Sequence, residues 1–321
     1  MQKTRISSPT STPASSAAPV GARVLLALFV FCLLIPSSWE IAGLRLTTAR
    51  IYALCMIIPL CLRLLALQSG RIQPVDVLLM LHAFWIMISM LANHGFSEVP
   101  ISGMLVVELY SGFLVGRVLI RDAAAFKRLF QLLLLVMAVL LPFALYEMIN
   151  ERAIVQEWFR SLFGSAHPKV YHAPRMGFYR AQTVMQHPIL WGVFCSIAVA
   201  NVVAIWSIRR PGGLLRFGIA IVATFSSVSS GAVLGALIQV GLMVWGWITK
   251  GAWKTLLLGF AAAWVFLSLA SNRGPIGLMV SYLTFNTNNA WGRISNWRHG
   301  NDEAMATPKY GIGNSDCTRP D

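Results

Sequence analysis

The stretch RLFQLLLLVMAVLLPFALYEM, residues 128–148, opens on Arg128 and then runs almost wholly through Leu, Val, Met, Ala and Phe. A hydrocarbon layer about 30 Å thick is crossed by about 20 residues of helix, because inside it every peptide group must find its partner within the segment. This run has that length, so it reads as a membrane helix. Comparable runs flank it at about 22–37, 50–67, 74–92 and 99–118 on one side, and 188–207, 214–229, 231–249 and 253–270 on the other. The expectation is an all-α, polytopic transmembrane helical bundle of roughly nine membrane helices with two outer-face loops. The pair at 214–249 is joined by SSVSSGA, whose small hydroxyl residues permit either a tight hairpin or a locally broken helix.

Composition agrees. The 321 residues are 56% hydrophobic and 12% charged, about half the charged fraction of a soluble domain. Lys and Arg number 26 against 12 Asp and Glu, a net +14. These charges form short clusters between apolar runs instead of one stripe, which excludes nucleic acid as a partner and leaves helix orientation as their role. Lys3, Arg5 and Arg23 precede the first run; Arg63 and Arg71 follow the second; Arg117, Arg121, Lys127 and Arg128 follow the fourth; Arg209, Arg210 and Arg216 follow the sixth; Lys250 and Lys254 follow the eighth. All fall on one side, with Arg45 and Arg50 as exceptions. By the positive-inside rule that side is the cytoplasm, together with the N-terminus.

Three regions follow. Residues 1–22, rich in Ser, Thr, Pro and Ala, read as a disordered cytoplasmic tail. Residues 23–270 form the transmembrane domain, including the outer loop 149–187, and 271–321 form an outer-face loop. Cys32, Cys55, Cys61 and Cys195 lie inside apolar runs and read as packing residues.

The loop 149–187 is basic, with Arg152, Arg160, His167, Lys169, His172, Arg175, Arg180 and His187 against Glu151 and Glu157. It reads either as a solvated loop or as a landing site for an anion, since a guanidinium holds two phosphate oxygens at once and stays protonated. The later segment presents Arg293, Arg298 and His299, with Trp291 and Trp297 as interface anchors, on a surface-lying helix or a catalytic loop. Glu108, within the fourth run, is costly at membrane depth and serves either function or a partner helix. His167 and His172 lack a nearby carboxylate or cysteine, so no metal site is expected. A phosphate-binding GxxxxGK[ST] loop, a GxSxG elbow and an Asp-rich outer loop are all missing from the sequence.

RMGFYRAQTVMQHPILWGVF, FSSVSSGAVLGALIQVGL and LTFNTNNAWGRISNWRHGNDEAMATPKYGIG, in that order over about residues 95–313, resemble the arginine and His-Pro helix start, the Ser-Gly junction and the Arg-Trp outer loop of the O-antigen ligase and polymerase superfamily. The resemblance implies a glycosyltransferase of the bacterial inner membrane that needs no cofactor. Its donor would be a glycan on undecaprenyl diphosphate. Its acceptor would be lipid A core, a second lipid-linked glycan or a protein, with membrane lipids around it. Arg180 and Arg293 would hold the diphosphate, with Arg175 and Arg298 as neighbours. His187 is the first candidate for the base that accepts the acceptor proton, a structural cap being the other reading, and His299 and Glu108 complete the candidate set. Resembling proteins continue beyond the point where this chain stops, so a truncated, inactive product stays open, as does a transporter or flippase of lipid-linked sugars.

Overall fold

The computed structural model describes residues 20–41, 43–164, 173–271, 275–278 and 287–311. Helices dominate: α1 (Val20–Leu34), α2 (Thr48–Leu65), α3 (Pro74–His94), α4 (Val99–Leu119), α5 (Ala123–Asn150), α6 (Ile154–Phe163), α7 (Pro188–Ile205), α8 (Pro211–Ser226), α9 (Ser230–Ile248), α10 (Trp253–Ala270) and α11 (Thr287–Ala306). The chain is an all-α membrane bundle, with one small antiparallel hairpin, β1 (Ser38–Ile41) and β2 (Leu44–Thr47), between α1 and α2.

Helix ends follow local chemistry. Thr47 and Asp122 cap α2 and α5 through side-chain oxygens that accept from Arg50 N and Ala125 N. Proline stands in the first turn of α3, α4, α7 and α8, where its missing N–H costs nothing.

Six stretches, not nine, combine the length and hydropathy of a membrane span among the described residues: Thr48–Leu65, Pro74–Leu119, Ala123–Asn150, Pro188–Ile205, Ser230–Ile248 and Trp253–Ala270. The difference has two causes. A 3₁₀ turn at Gly95–Glu98 follows α3 without a gap and leads into α4, so the two count as one stretch of 46 helical residues, although the chain turns back at Gly95 and the two helices pack against each other. Helices α1 and α8 have 15 and 16 residues, which at about 1.5 Å per residue fall short of the layer.

Two buried clusters hold the bundle. One gathers Phe130, Leu134, Met137 and Ala144 of α5 with Trp191, Cys195 and Val199 of α7 and Ala220 and Ala223 of α8. The other gathers Leu26, Tyr52, Leu60 and Leu64 with Leu114, Val115 and Val118 of α4. Helix α7 is the centre of the first, packed against both α8 and α9. Their junction is abrupt: three residues separate α8 from α9, and the middle one, Val228, takes φ +42°. SSVSSGA is therefore a tight corner.

Candidate functional site

The ends of α5 and α8 and the starts of α7 and α9 meet at one end of the bundle, and residues 175–187 lace them together. The segment opens with a tight turn at RMGF. Arg175 and Phe178 exchange backbone hydrogen bonds of 2.8 and 3.0 Å around Met176 and Gly177, at φ +54° and +81°, the signs that a two-residue hairpin turn demands. Tyr179 N then donates to Met148 O of α5 at 2.9 Å, and Ala181 N donates to Ser226 O of α8 at 3.1 Å. Between them Arg180 turns its guanidinium back toward α8, Nε donating to Ser227 O at 3.5 Å. Arg180 is half-buried, whereas the turn residues Met176 to Phe178 are exposed.

Beyond Arg180 the chain is buried through Met185, and a carboxylate receives it. Glu147 Oε2 accepts Gln182 N at 3.0 Å and Thr183 N at 2.9 Å. Thr183 is held at φ +50°, a costly conformation for a β-branched residue. Gln156 of α6 closes the other flank, its Nε2 donating to Met185 O at 2.6 Å, while Gln182 Nε2 donates to Gln156 Oε1 at 3.4 Å. Glu147 Oε1, Gln182 Oε1 and Thr183 Oγ1 are buried with no hydrogen-bond partner among the described residues. Three buried oxygens at one spot are thus left without partners among the described residues, an uncommon arrangement in a folded protein.

His187 ends the segment as the N-cap of α7, Nδ1 accepting from Ile189 N at 3.1 Å. A neutral ring with Nδ1 engaged as acceptor carries its proton on Nε2. Capping α7 and receiving a substrate proton are thus competing uses of one imidazole. Behind it, Trp191 is fully buried and its Nε1 donates to Ser226 Oγ at 3.0 Å. Gly192 lies so close to the α8–α9 corner that a Cβ there would meet Ser227 Oγ at 2.3 Å and Ala232 Cβ at 2.6 Å.

An apolar groove of about 650 Å³ reaches this segment from the side. Phe31 and Leu34 of α1, Leu135 and Val139 of α5, and Phe159 of α6 line it, and Val184 forms its inner wall. Helix α6 lies within the stretch 149–187 that the sequence reads as an outer loop. It is an amphipathic helix whose Trp158 meets Phe143 of α5 edge-on at 5.6 Å. At its start Arg152 pairs with Glu157 at 2.8 Å, and that hydrogen bond raises the guanidinium above its ordinary pKa.

The remaining candidates are placed as follows. Glu108 pairs with Arg50 of α2, Oε1 accepting Nε at 2.6 Å, so it joins two helices and gives Arg50, an exception to the charge pattern, a structural partner. Arg298 is exposed and His299 half-buried on α11. Arg293 stands on α11, but its side chain lies outside the described residues, as do His167, Lys169 and His172. The segment after α11 is anchored to α3, where Tyr310 O accepts from Ser89 Oγ and from Asn93 Nδ2 at 3.1 Å and its ring stacks on Trp85. Among the described residues no three His, Cys, Asp or Glu side chains group to hold a metal.

Sequence reasoning missed Glu147, Gln156 and Ser226. The signal for Glu147 was slight: one carboxylate near the end of an apolar run. No family model matches the chain, and no curated protein or solved structure matches it.

Proposed function

We propose that the chain is a membrane glycosyltransferase of the O-antigen ligase or polymerase type, moving a glycan from undecaprenyl diphosphate to an acceptor hydroxyl at the outer face of a bacterial inner membrane. One observation carries the reading: Arg180 and the inner wall of the apolar groove, Val184, belong to the same pinned segment. A lipid diphosphate needs both features close together, a cation for its head and an apolar channel for its chain.

In this reading all nine apolar helices cross, with α1 and α8 completing their crossings with flanking residues and the N-terminus cytoplasmic. The ends at Glu147, Arg180 and Ser227 then face outward. One contact supports the charge pattern behind this orientation: Arg117 Nη1 and Nη2 donate to the carbonyls of Ser69 and Arg71 at 2.8 and 2.9 Å, which puts two of the basic loops at one end.

The chemistry is direct. The anomeric carbon–oxygen bond to the diphosphate breaks, the acceptor oxygen takes its place, and the acceptor proton passes to a base. Negative charge grows on the leaving diphosphate, and a guanidinium fixed by Ser227 O stabilises it without reorganising. Arg293 is the proposed second cation, with Arg175 and Arg298 near the head. His187 serves as base only by releasing Ile189 N.

The test is a strain lacking the gene, complemented with wild type, Arg180→Lys or Arg180→Ala, its lipid-linked and surface glycans analysed by gel and mass spectrometry. Loss of surface polymer in the deletion, rescue by wild type and failure of Arg180→Ala at equal membrane abundance support the proposal. Single repeats accumulating would mark a polymerase; long chains left on the carrier lipid would mark a ligase. Unchanged polymer in the deletion, or full rescue by Arg180→Ala, would overturn it.

A further inference from the structure

A second cavity lies at the opposite end of α5 from Glu147. It holds about 220 Å³ between the start of α1, the end of α4 and the start of α5, and is lined by Arg23, Leu26, Leu119, Arg128, Leu129 and Leu132. Two guanidinium-bearing residues thus share the wall of an otherwise apolar space. Arg128 is half-buried, and its Nη1 is buried with no hydrogen-bond partner among the described residues. The carboxylate nearest to Arg128 in sequence, Asp122, is committed to capping α5 through Ala125 N at 2.6 Å, and Asp76 is committed to Arg117 at 2.9 Å. A buried guanidinium N–H beside hydrocarbon is costly until an anion takes it.

We infer that this cavity binds an anionic phospholipid from the adjoining leaflet, its phosphate on Arg128 and Arg23 and the first part of an acyl chain against Leu26, Leu129 and Leu132. Both halves of the cavity are then used. A free anion would leave the leucine wall bare, and an apolar helix would leave Arg128 Nη1 unmet. Basic pockets between membrane helices are suited to such headgroups. The inference needs only the membrane bundle and is independent of sugar transfer.

The experiment is native mass spectrometry of the full chain in detergent, titrated with phosphatidylglycerol or phosphatidylcholine. One phosphatidylglycerol is expected to bind in preference to phosphatidylcholine. Arg128→Gln should weaken it about fivefold, the loss of one basic contact, while Lys127→Gln, exposed one residue away, leaves it unchanged. Should Arg128→Gln lose its fold, Arg23→Gln carries the test with the same expected loss. Equal binding of the two lipids, no change in the arginine variants, or displacement of phosphatidylglycerol by equimolar inorganic phosphate would each overturn the inference.

Discussion

The Glu147 carboxylate of α5 accepts the backbone N–H of Thr183 from 36 residues further along the chain, at 2.9 Å, and the same oxygen takes Gln182 N. The segment carrying Arg180 is thereby fixed to the longest helix of the bundle. Glu147→Leu orphans both buried N–H groups, at about 1–3 kcal/mol each. We expect a large fall in melting temperature in detergent and a smaller one for Glu147→Gln, whose amide oxygen still accepts. Wild-type melting of Glu147→Leu would show that the segment is held by other contacts.

Gly192 fits where no side chain does. A methyl group there would run into Ser227 and Ala232, and overpacking of this kind costs about 1–3 kcal/mol. Gly192→Ala should therefore melt early. Adding Ser227→Gly should restore part of the loss, since Ser227 contributes the nearest atom, and a purely additive double variant would refute this account.

Two interhelical ion pairs among the described residues predict unequal sensitivities. Asp76 is 3% exposed and its partner Arg117 20%, whereas Glu108 and Arg50 are 40% and 25% exposed. Removing one partner of a buried pair costs about 3–5 kcal/mol, and of an exposed pair about 0–1 kcal/mol. Asp76→Ala should lower yield and melting temperature far more than Glu108→Ala. Glu108→Gln should also leave glycan transfer intact; loss of transfer in a stable variant would return Glu108 to the substrate site.

His187 allows a clean separation of capping from proton transfer. Asparagine caps helices well but cannot serve as a base at neutral pH. His187→Asn should keep the stability that His187→Ala loses, about 1 kcal/mol. Transfer by His187→Asn then decides the role: near-normal rates make His187 a cap alone, and a stable, inactive protein makes it the base.

The helices were legible because each is announced by its own hydropathy, a local property. The apolar runs at 50–67, 128–148 and 188–207 all became helices with ends within a few residues of those read from sequence. The β1–β2 hairpin was not, because four-residue strands carry too little alternation to show and its turn rests on Gly43 at φ +75°. Length and hydropathy give six spans where the sequence reads nine, because a 3₁₀ turn links α3 to α4 without a gap and α1 and α8 are short. At the site, Arg180 and His187 stood out by residue type and position. Glu147 did not, since its meaning lies in two amides far along the chain, and no periodicity encodes that meeting.

Among the described residues, helix α10 buries none of its side chains. Its place in the bilayer therefore rests on its own hydropathy and not on grip from its neighbours, whereas α7 is surrounded by partners. Assembly accordingly divides into two events: individual insertion by partition into lipid, then docking of the inserted helices into the clusters around α7 and around α4. Changes on α10 would act on the first event, and changes at Trp191 or Gly192 only on the second.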